Sequence, residues 1–404
     1  MISKRGAIRA GSLVLAVGAL WVVQDRLDNS LDAAQMQAPM FQVDPFWPQP
    51  LPNNWLLGST IGAWVDDQDR IWIVHRQNLT GGESGRVDGG AECCIPAPPI
   101  LAFDMDGNVV KSWGPAAGEQ YQGIPWPESN HGIFVDHEGF VWVGGNGGGD
   151  SHILKLTEDG DVVQMFGRQG ARSDGQGGYV RDSNALDSFG RVAKIFVDEE
   201  TNEVYLADGY LNRRVAVLDQ ESGRVVRHWG AYGDRPDDDL VHPERTQASI
   251  EGDPSQEFRG PTHCADVSVD RLVYVCDRAS NRIQIFQTDG TFVSEHFFAT
   301  DPLWGPSTWD VAFSPDDEQT YIYIPDGSNQ RVRVVLRETM EELYAFGMGG
   351  RYPGQFFGAH SIATDSEGNI YTTETYEGKR IQKFAYMGMG PIRSRMVGPT
   401  WPSD

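Results

Sequence analysis

The sequence predicts an all-β protein, a six-bladed β-propeller of four-stranded antiparallel blades. Three observations predict it. First, one phrase recurs six times: a short apolar strand, an acidic or small turn residue, then an aromatic-rich strand. Second, most copies run on through a polar bend into a third strand, and several into a fourth, which is the make-up of one propeller blade. Third, 47 glycines and 23 prolines in 404 residues require many turns, which suits short strands and not a helical bundle.

Along the chain, the first nine residues carry Lys4, Arg5 and Arg9, and residues 10–23 are uninterrupted apolar or small residues. A basic flank before a run of this length reads as a secretory signal or an uncleaved N-terminal anchor, since a membrane span needs about 20 residues. Both outcomes export the C-terminal mass, so the expected location is periplasmic or secreted. Residues 24–39 read as a linker, 40–388 as the propeller and 389–404 as a tail. The six phrases open at Ile61, His131, Ala193, His263, Trp309 and His360. The last blade shows three clear strands, so the aromatic, proline-rich stretch 40–55 is expected to supply the fourth and close the ring. Excess length lies in three loops, 77–99, 170–188 and 231–257, expected to cap one face.

There are 33 basic and 57 acidic residues, for a net charge of −24. Nucleic acid is thereby disfavoured as a partner, and so is an anionic membrane surface. Membrane contact is expected only through an uncleaved anchor, and a closed ring can stand alone as a monomer. In an exported protein the four cysteines are expected to be oxidised. Cys264 and Cys276 flank a hairpin turn and can pair across strands, Cys93 and Cys94 are adjacent, and three connectivities stay open.

The repeat separates scaffold from site. Asp66, Asp136, Asp198 and Asp365 share one register and read as turn residues. Asp208, Asp277 and Asp326 share another, each followed by an Asn and an Arg, and read as acidic–basic locks between strands. His137, His152, His228, His242 and His296 fall at turns or on outer strands and read as structural. The first position of the first strand is different: it holds histidine in blades two, four and six, at His131, His263 and His360. Alternate blades of a six-bladed ring stand about 120° apart, and the innermost strands line the channel. Three imidazoles would then meet on the axis as a divalent metal site with one position open.

The phrases Ile73-Val-His-Arg76, Asn130-His-Gly-Ile-Phe-Val-Asp136, Ala207-Asp-Gly-Tyr210, Pro261-Thr-His263 and Ala359-His360 resemble the motifs of the peptidylglycine α-amidating lyase domain, a six-bladed NHL-repeat propeller. They fall in the same order and in corresponding blades. The resemblance implies Zn2+, or another divalent metal, on His131, His263 and His360, with Arg76 and Tyr210 completing the site. It implies cleavage of a peptidyl-α-hydroxyglycine, a carbinolamide, to a peptide amide and glyoxylate, so the expected substrate is peptide-derived or another small molecule. Tyr376 stands at the matching offset in blade six and is a second candidate for the tyrosine's role. Where the family has an Asp that serves a structural Ca2+, this chain has Ser361, so the zinc triad carries over better than the calcium. Gly358 and Leu211 also depart from the pattern, at the family's Met and disulfide Cys. The chain is similar as well to bacterial exported NHL-repeat proteins.

With a metal present, Arg76 suits a carboxylate and Tyr210 suits a general base. A metal-dependent hydrolase of lactonase type on the same scaffold is the near alternative. A non-catalytic propeller that binds a protein or peptide is the distant one.

Overall fold

Strand alternation and acidic turns fold the described residues into six blades, each with four antiparallel strands, arranged as a six-bladed β-propeller; a two-stranded parallel ladder joins Trp55–Leu56 to Ile95–Pro96. This computed structural model describes residues 36–79, 93–244, 246, 254–300, 305–398 and 401–402. The signal or anchor expected over residues 1–23 lies outside them. No helix among the described residues is long and apolar enough to cross a membrane. The innermost strands of blades one to six are Thr60–Val65, Asn130–Val135, Lys194–Asp198, Thr262–Val267, Ala312–Phe313 and Ala359–Thr364.

The turn aspartates do more than turn the chain. Asp66 accepts the backbone N–H groups of Gln68 and Arg70, and its second oxygen takes the Trp72 indole N–H at 2.7 Å. Asp136 repeats this with Trp142 at 2.8 Å, and Asp365 takes the Tyr371 hydroxyl at 2.9 Å. These three turns thereby hold the aromatic of the second strand, whereas Asp198 of blade three accepts from Thr201 and Arg271 instead. In blades three and four the locks form as expected: Arg214 donates to Asp208 at 2.8 Å and Arg282 to Asp277 at 3.0 Å, all four side chains fully buried. In blade five the partner differs from the expected phrase: Asp326 pairs with Arg333, two residues further along the strand, while Arg331 donates to the Asn329 carbonyl; in blade six Glu374 pairs with Arg380.

Blade six closes the ring with Gln37–Asp44 as its outermost strand, beside Arg380–Pro391. The boundaries need correction. The closing strand starts inside the expected linker, because Ala38 already buries with Phe41 and Val43 against Tyr323 and Phe346. The strand Arg380–Pro391 runs past residue 388, and Met396–Val397 adds a fifth, parallel strand to blade five, so the expected tail is partly sheet.

Both cysteine pairs are disulfides, Cys93–Cys94 and Cys264–Cys276. Second strands end, and blade-to-blade connections begin, at the histidine end of the ring. The three long loops all leave and return there. Two of them are tied together: Ser183 donates to Asp238, and Asn184 to the Pro236 carbonyl at 3.0 Å.

Candidate metal centre

The inner strands of the even blades share a local irregularity. The pairing of Asn130 with Gly145 and of Ile133 with Val143 leaves His131 and Gly132 opposite one residue. His263 and Cys264 sit in the same way in blade four, and His360 and Ser361 in blade six. These are β-bulges, which bend a strand and re-aim a side chain. The imidazoles turn onto the axis, with ring centroids 4.9 to 5.0 Å apart in all three pairs. Their candidate ligand atoms lie within 4.8 Å of one another, and all three residues are buried.

The odd blades supply the other half of this arrangement. His131 Nδ1 meets the Ala193 carbonyl at 2.6 Å and His360 Nδ1 the Ile61 carbonyl at 2.8 Å, while His263 Nδ1 meets the Trp309 carbonyl. Ile61, Ala193 and Trp309 are the first-position residues of blades one, three and five, each neighbouring a histidine blade. A carbonyl only accepts, so each Nδ1 carries the proton and each Nε2 keeps its lone pair. Burial holds all three imidazoles well below the usual histidine range, with nearby guanidinium groups adding to the effect. Three neutral, oriented nitrogen donors with their second nitrogens anchored to carbonyls fit a divalent ion such as zinc.

The residue after each second strand occupies a common register around the mouth of this site: Arg76, Asn146, Gly209, Arg278, Gly327 and Thr375 in blades one to six. Arg76 and Arg278 therefore come from opposite sides of the ring. Burial lowers the Arg76 pKa, and the side chain is held by the Asn130 carbonyl at 3.2 Å and Asn146 Oδ1 at 2.9 Å. Arg278 lies over the Trp309 ring at 4.4 Å and donates to Tyr210 Oη at 3.3 Å. Sequence reading missed Arg278, which sits inside the lock phrase of blade four. The signal was there: blades three and five carry Gly directly after the lock aspartate, and blade four does not.

Tyr210 Oη lies 2.9 Å from His131 Nε2 and 3.2 Å from His263 Nε2. Since it accepts from Arg278, its own proton is directed to an imidazole. Tyr376 stands edge-on to Trp309 at 6.4 Å and is 47% exposed, so the tyrosine on the imidazoles is Tyr210. On the other side of the triad a cavity of about 10 Å3, one water in size, separates the histidines from Lys194, Asp310 and Ser361. There Lys194 Nζ bridges Asp266 at 3.0 Å and Asp310 at 2.5 Å, and Ser361 Oγ donates to Asp310 at 2.6 Å. Ser361 thus belongs to a cluster that already contains its own cation.

Fold and repeat together define an NHL-type six-bladed β-propeller. The human NHL repeat-containing protein 3 is 27% identical over 248 residues, 59% of this chain and 58% of that protein. The chain thus spans less than two thirds of the length of that relative. No profile of a known protein family matches the chain. Solved structures of similar fold include a Bacteroides thetaiotaomicron protein of unknown function, with TM-score 0.50, 14% identity, and 87% of this chain and 76% of that one covered. A catalytically inactive virginiamycin B lyase from Staphylococcus aureus, solved with quinupristin, has TM-score 0.48 and 13% identity, covering 87% of this chain and 99% of that one. At these identities the likeness is one of fold.

Proposed function

We propose that the protein is an extracytoplasmic, metal-dependent lyase acting on an α-hydroxy-amide that carries a neighbouring carboxylate, as a peptidyl-α-hydroxyglycine does. The observation that carries this reading is the convergence of three carbonyl-anchored imidazoles beneath two opposed guanidinium groups and one phenol. A divalent ion on His131, His263 and His360 would supply Lewis-acid polarisation of the substrate's oxygen. Arg76 and Arg278 bind the carboxylate from opposite sides, and the planar fork of each suits its two oxygens. Tyr210, once its own proton has been released to solvent, takes the proton of the α-hydroxyl at Oη. As the carbon–oxygen double bond forms, the carbon–nitrogen bond breaks, and the amide nitrogen receives that proton from Tyr210 Oη. The products are a primary amide and glyoxylate. Burial keeps Arg76 poorly solvated, which strengthens its grip on the anion.

The test uses purified full-length protein, metal analysis and a peptidyl-α-hydroxyglycine substrate. About one equivalent of metal and metal-dependent glyoxylate release are expected, both lost in the His131→Ala/His263→Ala/His360→Ala variant. Metal without glyoxylate, but with lactone opening, would move the activity to a hydrolase. No bound metal at saturating zinc would leave a non-catalytic binding propeller.

A further inference from the structure

A second cavity lies away from the histidines. It lies at the opposite mouth of the axial channel and measures about 520 Å3, within the usual range for small-molecule sites. The fourth position of each repeat phrase lines it. In blades one to three these residues are Trp64, Phe134 and Phe196, and in blades four to six Asp266, Ala312 and Ala363. The three rings form a continuous wall, with centroids 4.2 Å apart for Trp64 and Phe134 and 5.2 Å for Phe134 and Phe196. Opposite them the same position holds the smaller Asp266, Ala312 and Ala363, with Phe313 beside them in the lining. Phe134 is also a core residue, and Trp64 and Phe196 are partly buried against the same core, so the wall is rigidly seated.

Charge completes the site. Asp67 and Glu199 are exposed at the rim. Arg271, the one arginine of the lining, is engaged by Asp198 through two hydrogen bonds. Behind the cavity, Lys194 is shared by two carboxylates, which closes the channel toward the histidines without leaving a net positive floor.

We propose that this mouth is a second ligand site, separate from the histidine chamber, for a small organic cation: an ammonium with an apolar shell. Ring faces attract such a cation, and the acidic rim concentrates it. A neutral ligand gains only the apolar contact, and an anion is repelled.

The test is calorimetric titration of the full-length protein with choline and with its uncharged isostere, dimethylbutanol. Choline is expected to bind saturably and the isostere about tenfold more weakly. Trp64→Leu is expected to weaken choline about tenfold. Asp67→Asn/Glu199→Gln, at exposed positions that leave the fold alone, is expected to weaken it severalfold and flatten its salt dependence. The triple-histidine variant should bind choline like the parent. Equal affinity for the two probes, no saturable binding at millimolar choline, or insensitivity to the rim pair overturns the proposal. So does binding that disappears with the histidines.

Discussion

Even and odd blades of this ring share one scaffold and do different chemistry. Even blades place an imidazole in a bulge at the head of the inner strand. Odd blades place a backbone carbonyl against that imidazole, from Ile61, Ala193 or Trp309. One set offers the donor atoms and the other fixes their tautomer and direction. The alternation seen in the sequence is therefore only half of the site, because any residue can lend a carbonyl and the odd positions need no common side chain.

The most severe way to break this comparison is to remove one even-blade donor. His360→Ala is expected to abolish stoichiometric metal binding. Adding Ile61→His, which moves the imidazole to an odd blade, should not restore it. Recovery of metal in that double variant, measured by elemental analysis, would show that position on the ring does not matter.

The next test probes what the odd blades hold beneath the triad. Lys194 and Asp310 come from blades three and five and meet Asp266 of blade four. Lys194→Met leaves two buried carboxylates unneutralised and is expected to cost about 3–5 kcal/mol of stability in denaturant unfolding. Burial and Asp310 raise the Asp266 pKa to about 7 despite Lys194, whereas an unfolded Asp titrates near 3.9. The folded state then binds more protons between those values, so this group's contribution to stability is full below about pH 4 and declines as pH rises toward 7. Asp266→Asn should flatten that part of the stability–pH curve. An unchanged slope would mean that the cluster does not titrate there.

Arg76→Ala sharpens the division between holding the ion and using it. Turnover should fall about 10²-fold with metal content unchanged. Gly132→Ala should have the smallest effect. A Cβ there would stand 3.1 Å from the Ala193 carbonyl that orients His131, so metal affinity should drop about tenfold with little change in fold.

Six copies of one phrase made the ring, the turn aspartates and the locks legible, since each copy confirms the others. The triad was legible because histidine broke the repeat in a regular way. The bulges were not, because they depend on cross-strand register that no single strand records. Arg278 was obscured by standing in a scaffold phrase. The closing strand began earlier than the proline-rich stretch suggested, because Ala38 is small and gives no strong pattern. The opposite mouth was missed because aromatic residues at a buried strand position read first as core.

The central claim is that Nε2 atoms from three alternate blades share one ion. X-ray absorption at the zinc edge, on full-length protein loaded with one equivalent, tests it most directly. The account predicts a first shell containing three imidazole nitrogens at about 2.0–2.1 Å, absent from His360→Ala, in which the added zinc keeps the oxygen shell of the aqueous ion. A first shell of oxygen or sulfur without imidazole, or a spectrum identical in the variant, would contradict it.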